Sequence, residues 1–113
     1  MKRIDSPIFL HEVNEEAKKT FGDMVKAVVD IEKGIMVIGG EMHADEEAEL
    51  IRDGSSQNDI WGINLYPELA EESWIEFDSM INLRPLQGNM SRTVQDEAIK
   101  SKIRAVIATL VKR

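Results

Sequence analysis

Hydrophobic positions along this chain follow two rhythms. Leu10, Val13, Ala17 and Phe21 recur at helical spacing within residues 5–22, and Ile99, Ile103, Val106, Ile107, Leu110 and Val111 form a second helical stripe near the end. Ser6 as cap, Pro7 at the first helical position and Gly22 as stop delimit the first helix. Thr93 is read as the cap of the last, with Asp96 as its capping-box partner. Between them the rhythm is two. Val25, Ala27, Val29 and Ile31 alternate with Lys26, Val28, Asp30 and Glu32, which predicts a strand. The turn "EKG" leads into "IMVIGG", and the two runs predict a hairpin.

"HADEEAELIRDG" reads as a short helix ended by Gly54. "IWGINLYP" is a third strand stopped by Pro67, and "SWIEFDSMINLRP" alternates as a fourth. The predicted order is α-β-β-α-β-β-α. Two amphipathic helices need a sheet face to cover, so the fold class is α+β: a two-layer sandwich on a four-stranded, mainly antiparallel sheet. With 113 residues the chain fits one domain, residues 1–113.

Alternation also assigns the other sheet face. It collects Lys26, Val28, Asp30, Met36, Ile38, Asn64, Tyr66, Trp74, Glu76, Asp78, Met80, Asn82 and Arg84. A face turned only to water has no use for Val28, Ile38 or Met80. A face sealed in a core does not tolerate Asp30, Glu76, Asp78 and Arg84 without partners. The mixture predicts partial cover by the short helix, by a homodimer or protein partner, or by a ligand.

Composition narrows the chemistry. The absence of cysteine removes disulfides, thiolate metal sites and cysteine nucleophiles. No apolar run reaches the roughly 20 residues of a membrane span, and no secretory signal is evident, so no membrane role and a cytoplasmic location are expected. The net charge of −7 argues against nucleic acid as a partner. The charge is uneven: residues 84–113 hold seven basic residues against two acidic, whereas residues 1–83 hold seven against nineteen.

"GGEMHADEEAELI" places two glycines, a histidine and several carboxylates together. No second histidine lies at metalloprotease spacing, and no cofactor or resident metal is expected. The short list of metal candidates is Glu41, His43 and Asp78. Catalytic candidates are His43 as acid or base with Asp30, Glu76 and Asp78, the set a metal-assisted hydrolase of a phosphate-containing substrate would use. Binding candidates are Asn64, Trp74 and Asn82 on the mixed face, with Arg84, Gln87, Asn89 and Arg92 in the loop before the last helix. The favoured class is a binding or interaction module working through the mixed face, and the hydrolase is the alternative.

The peptides "TFGDMVKAVVDIEKGIMVIGGEMHADEEAELI", "WIEFDSMINLRP" and "QGNMSR" resemble a family of short uncharacterised archaeal and bacterial proteins, a domain of unknown function. The likeness runs from about residue 20 to 105. It implies a small soluble domain and transfers no catalytic residue.

Overall fold

The structure is a computed structural model describing residues 1–113. In chain order the elements are β1 (Lys2–Ile4), β2 (Ile8–Phe9), α1 (Leu10–Lys19), β3 (Val25–Asp30), β4 (Ile35–Ile38), α2 (His43–Arg52), β5 (Ile60–Leu65), β6 (Ile75–Glu76), α3 (Glu97–Leu110) and β7 (Val111–Lys112). Short 3-10 turns lie at Gln57–Asp59, Met80–Asn82 and Pro85–Gln87.

The fold is α+β with three helices, and its main sheet has five strands in the order β1-β4-β3-β5-β6, each neighbouring pair antiparallel. The expected four strands omitted β1. "KRI" is too short to show alternation, yet Lys2–Ile4 lies along the free edge of β4 and closes it. A parallel pair, β2 with β7, ties the two ends of the chain together.

The first helix starts later than Ser6 and Pro7 suggest, because Ile8 and Phe9 are claimed by β7. Its cap is Phe9, whose N–H donates to Glu12 Oε2 at 2.8 Å. The last helix begins at Glu97 rather than after Thr93: Asp96 accepts from the N–H groups of Ala98 and Ile99, and Thr93 instead bridges to Asp78.

Register assigns the faces. Val25, Ala27, Val29, Met36, Ile38, Trp61, Ile63 and Leu65 share a core with α1 (Val13, Ala17) and α3 (Ile103, Ile107, Leu110). Val28, Ile35, Val37 and Ile60 point the other way and pack on Leu50 of α2. Met36 and Ile38 are therefore on the main core face, opposite to the expectation. β4 is buried on both sides, so its composition carries no face signal. Helices lie against both faces, with α2 a partial third layer.

The long fourth strand is interrupted. Only Ile75–Glu76 pairs with β5; beyond it the chain makes a bridge at Asp78 and turns at Met80–Asn82. The reason lies at Gly62, in β5. A Cβ there would stand 2.5 Å from Ser79 Cβ, so the crossing chain presses against backbone, too close for a regular pleat. Asn82 replaces the missing strand. Its Oδ1 accepts from Gly62 N at 2.8 Å and its Nδ2 donates to Gly62 O at 2.9 Å, so one amide serves as a ladder rung. Ile81 joins the second-face cluster and Leu83 is half exposed, while Trp74 packs into the main core rather than on the second face where alternation places it.

Candidate functional site

The second sheet face is divided. Over β3 and β4, α2 buries Val28, Ile35 and Val37 beneath Leu50. Over the start of β3 and the end of β5, no helix covers it. Lys26, Asn64 and Glu76 stand there in one cross-strand row. Asn64 Nδ2 donates to Glu76 Oε1 at 2.8 Å and to Asp78 O at 3.2 Å, while Asn64 Oδ1 is buried with no partner. Tyr66 OH donates to the same Glu76 oxygen at 3.3 Å. Arg92 holds Asp78 with two N–H groups, at 3.1 and 3.2 Å.

His43 stands at the boundary. It is the first residue of α2, and its Nε2 lies 2.8 Å from Ile63 O. A carbonyl only accepts, so Nε2 carries the proton and Nδ1 keeps a lone pair in the neutral ring. Burial lowers its pKa most, with the Lys26 charge acting in the same direction. The Ile63 carbonyl and Asp78 oppose them. A cavity of about 140 Å³ opens beside the ring, lined by Lys26, Met42, His43, Ser79, Met80 and Arg92. Met42 and Met80 are mostly exposed at its rim.

A second feature adjoins it. Residues 84–89 form a tight hairpin: Arg84 N donates to Asn89 O at 2.8 Å and Asn89 N returns to Arg84 O at 3.0 Å. Gly88, at φ 79°, takes the left-handed corner that closes it. Buried side chains fix this loop from beneath. Asn89 Nδ2 donates to the carbonyls of Asn82, Ser91 and Thr93, and its Oδ1 accepts from Gln95 N. Arg84 lies 4.7 Å from the Trp61 ring, donates to Ile81 O and Gln57 O, and pairs with Glu47 of α2 at 3.3 Å. Gln87 Nε2 donates to Asn58 O. Apolar side chains on the loop and on its flanks point out. Met80, Met90 and Leu83 are largely or half exposed, and Leu86 at the tip is fully exposed.

The candidates separate accordingly. His43, Asn64, Glu76, Asp78 and Arg92 are brought together around the open half of the face. Asp30 is not: it lies four residues along β3 from Lys26, roughly 13 Å away. There it is buried, accepting from Glu32 N, Lys33 N and Ser55 Oγ to fasten the β3–β4 turn. Asn82 spends its amide on Gly62 of β5 and on Arg92 O, Arg84 and Gln87 reach the turn at Gln57–Asn58 and Glu47 of α2, and Asn89 holds the backbone around the loop. Trp74 belongs to the opposite face. Glu41 is exposed beside Met42, and no three His, Asp or Glu side chains converge as metal ligands. Sequence reasoning missed Met42, Leu86 and Met90. The available signal was "PLQGNM", where a leucine and a methionine flank turn residues without any periodic pattern to bury them.

Another buried group belongs to the same junction. Glu46 of α2 is fully buried, and its Oε2 accepts from Gly40 N at 3.0 Å. A Cβ at Gly40 would stand 2.8 Å from Glu46 Cγ. The second glycine of "GGEMHADEE" is thus the space this carboxyl occupies. Burial pushes its pKa up to about 9 against the pull of the Gly40 hydrogen bond, so it is protonated at neutral pH.

The chain belongs to the family described as protein of unknown function (DUF5674), whose pattern it matches over residues 2–110. No curated protein and no solved structure matches it. No helix is long and apolar enough to cross a membrane.

Proposed function

We propose that the chain is a protein-binding module whose contact surface is the open half of the second sheet face together with the hairpin at residues 84–89. The observation that carries this reading is the hairpin itself. The buried amides of Asn82 and Asn89 and the half-buried guanidinium of Arg84 tie the hairpin and its flanks to β5 and to one another, yet Leu86 at its tip and Met80, Leu83 and Met90 on its flanks stay exposed. Folding gains nothing from a leucine held fully in water. A preorganised loop with exposed apolar tips favours association, since ordering it costs little at the moment of binding. Methionines at the rim suit a contact that adapts to its partner. The small cavity beside His43 has room for the tip of one partner side chain, with Lys26 and Arg92 among its lining.

Metal-assisted hydrolysis draws no support from the geometry. Asp30 is remote from His43, Asp78 is held by Arg92, and Glu76 is held by Asn64 and Tyr66.

The test selects binders from a displayed random-peptide library on the folded protein, after measuring its mass in solution across a wide concentration range. Self-association, or selected peptides, that L86D and M80D each weaken by about tenfold or more would support the reading; each such variant removes roughly 1.4 kcal/mol or more. A strict monomer that yields no peptide sensitive to either substitution would overturn it.

A further inference from the structure

The largest cavity in the molecule is on the opposite side from that surface, between α3 and β6. Its volume is about 540 Å³, within the range of small-ligand sites. Trp74, Phe77, Ile107 and Val111 form its floor, Arg104 and Arg113 line it from α3 and the chain end, and Glu71 and Glu72 line it from the loop before β6. Both guanidiniums are stacked on the aromatic floor, Arg113 at 4.8 Å from the Trp74 ring and Arg104 at 5.0 Å from the Phe77 ring. Arg113 also meets Glu71 at 3.5 Å, whereas Arg104 enters no ion pair. Arg104 and Arg113 come from the basic end of the chain, and Glu71 is already engaged by Arg113. Residues 97–113 carry Lys100, Lys102, Arg104, Lys112 and Arg113 against Glu97 alone, in a chain whose net charge is −7.

We propose that this groove binds a small soluble carboxylate with an aliphatic body. The body would lie along Ile107, Val111 and the indole of Trp74, and the carboxylate would meet the free Arg104 guanidinium. Two features fix the chemistry. The floor is apolar enough to desolvate an alkyl chain. The Arg104 guanidinium is positioned by the ring beneath it and offers a planar pair of donors that matches a carboxylate. An aromatic ligand fits less well, because cations already cover the faces of Trp74 and Phe77.

The experiment titrates the isotope-labelled protein with sodium octanoate and follows backbone amide shifts and the Trp74 indole. Saturable shifts are expected at residues 74–77 and 104–113, with no matching change at the hairpin. R104Q is an exposed substitution that gives up one cation–π contact, so it is expected to lower the melting temperature only slightly while weakening octanoate about tenfold, the loss of one charge-assisted contact. Octylamine and octanol are the controls. No saturable shift at millimolar octanoate would overturn the proposal, as would equal binding of octylamine or octanol, or an unchanged affinity in R104Q. Binding to phosphatidylglycerol vesicles without binding of octanoate would overturn it too, since it would make the basic helix a membrane-surface contact.

Discussion

Replacing Glu46 by glutamine should stabilise the protein at neutral and alkaline pH and destabilise it in mild acid. In the fold its carboxyl stays protonated up to about pH 9, whereas the unfolded chain releases that proton near 4.5. The folded state therefore binds more protons between those values, and its stability falls as pH rises through the window. The slope is about 1.4 kcal/mol per pH unit for one group. At pH 7 the fold has given up about 3 kcal/mol relative to pH 4.5 or below. Glutamine removes the titration and keeps an oxygen to accept from Gly40 N. It adds an amide donor beside Oε1, which already has no partner, at a cost of about 1 kcal/mol. The net effect of E46Q is roughly −1 kcal/mol at pH 4.5 and about +2 kcal/mol at pH 7. Urea unfolding of both proteins at several pH values between 5 and 8 gives the difference curve, in which other titrations cancel. A difference that stays flat across this range would refute the reasoning, because it would mean that Glu46 is ionised in the fold or reaches water.

Three other substitutions examine neighbouring claims. N82A removes both rungs to Gly62 and a third bond to Arg92 O, and is expected to cost about 2–4 kcal/mol in urea unfolding. G62A drives a methyl into Ser79 and should destabilise by about 1–3 kcal/mol; adding S79G should recover part of that, a coupling a double-mutant cycle measures. His43, with its pKa held below 6.5, makes the fold lose stability as pH falls below that value. The sign follows because the unfolded chain then takes a proton that the buried ring refuses. H43Q should remove that acid-side slope in the same unfolding assay.

Much of the fold was legible because burial leaves a period. The β3 alternation and the α3 stripe mark elements that exist in the structure, though α3 starts at Glu97 and Val111 passes into β7. Legibility failed where an element had no exposed face or no length. β4 is apolar on both sides, so Met36 and Ile38 could not be told from Ile35 and Val37. β1 is three residues long and forms only because β4 offers an edge. Residues 73–85 carry an alternating pattern, yet Gly62 invites so close a crossing that Asn82 replaces the strand with a single amide. The candidate site shows the same division. His43, Asn64, Glu76, Asp78 and Arg92 meet as cross-strand register and one bridge require. Asp30 shares their face, but alternation says nothing of distance along a strand. "GGEMHADEEAELI" turned out to combine two tasks: Gly40 and Glu46 seat α2 on the sheet, and His43 marks where its cover ends.

The protein-binding surface is tested most directly by mapping amide shifts of the labelled protein against the tightest selected peptide, or against dilution if the chain self-associates. Shifts clustered at residues 42–43, 64, 76–80 and 83–92, abolished by L86D and untouched by R104Q, are the expected result. Shifts confined to α3 or to β1 and β4, with residues 80–92 unchanged, would contradict the claim that the pinned hairpin and the open half-face form the contact.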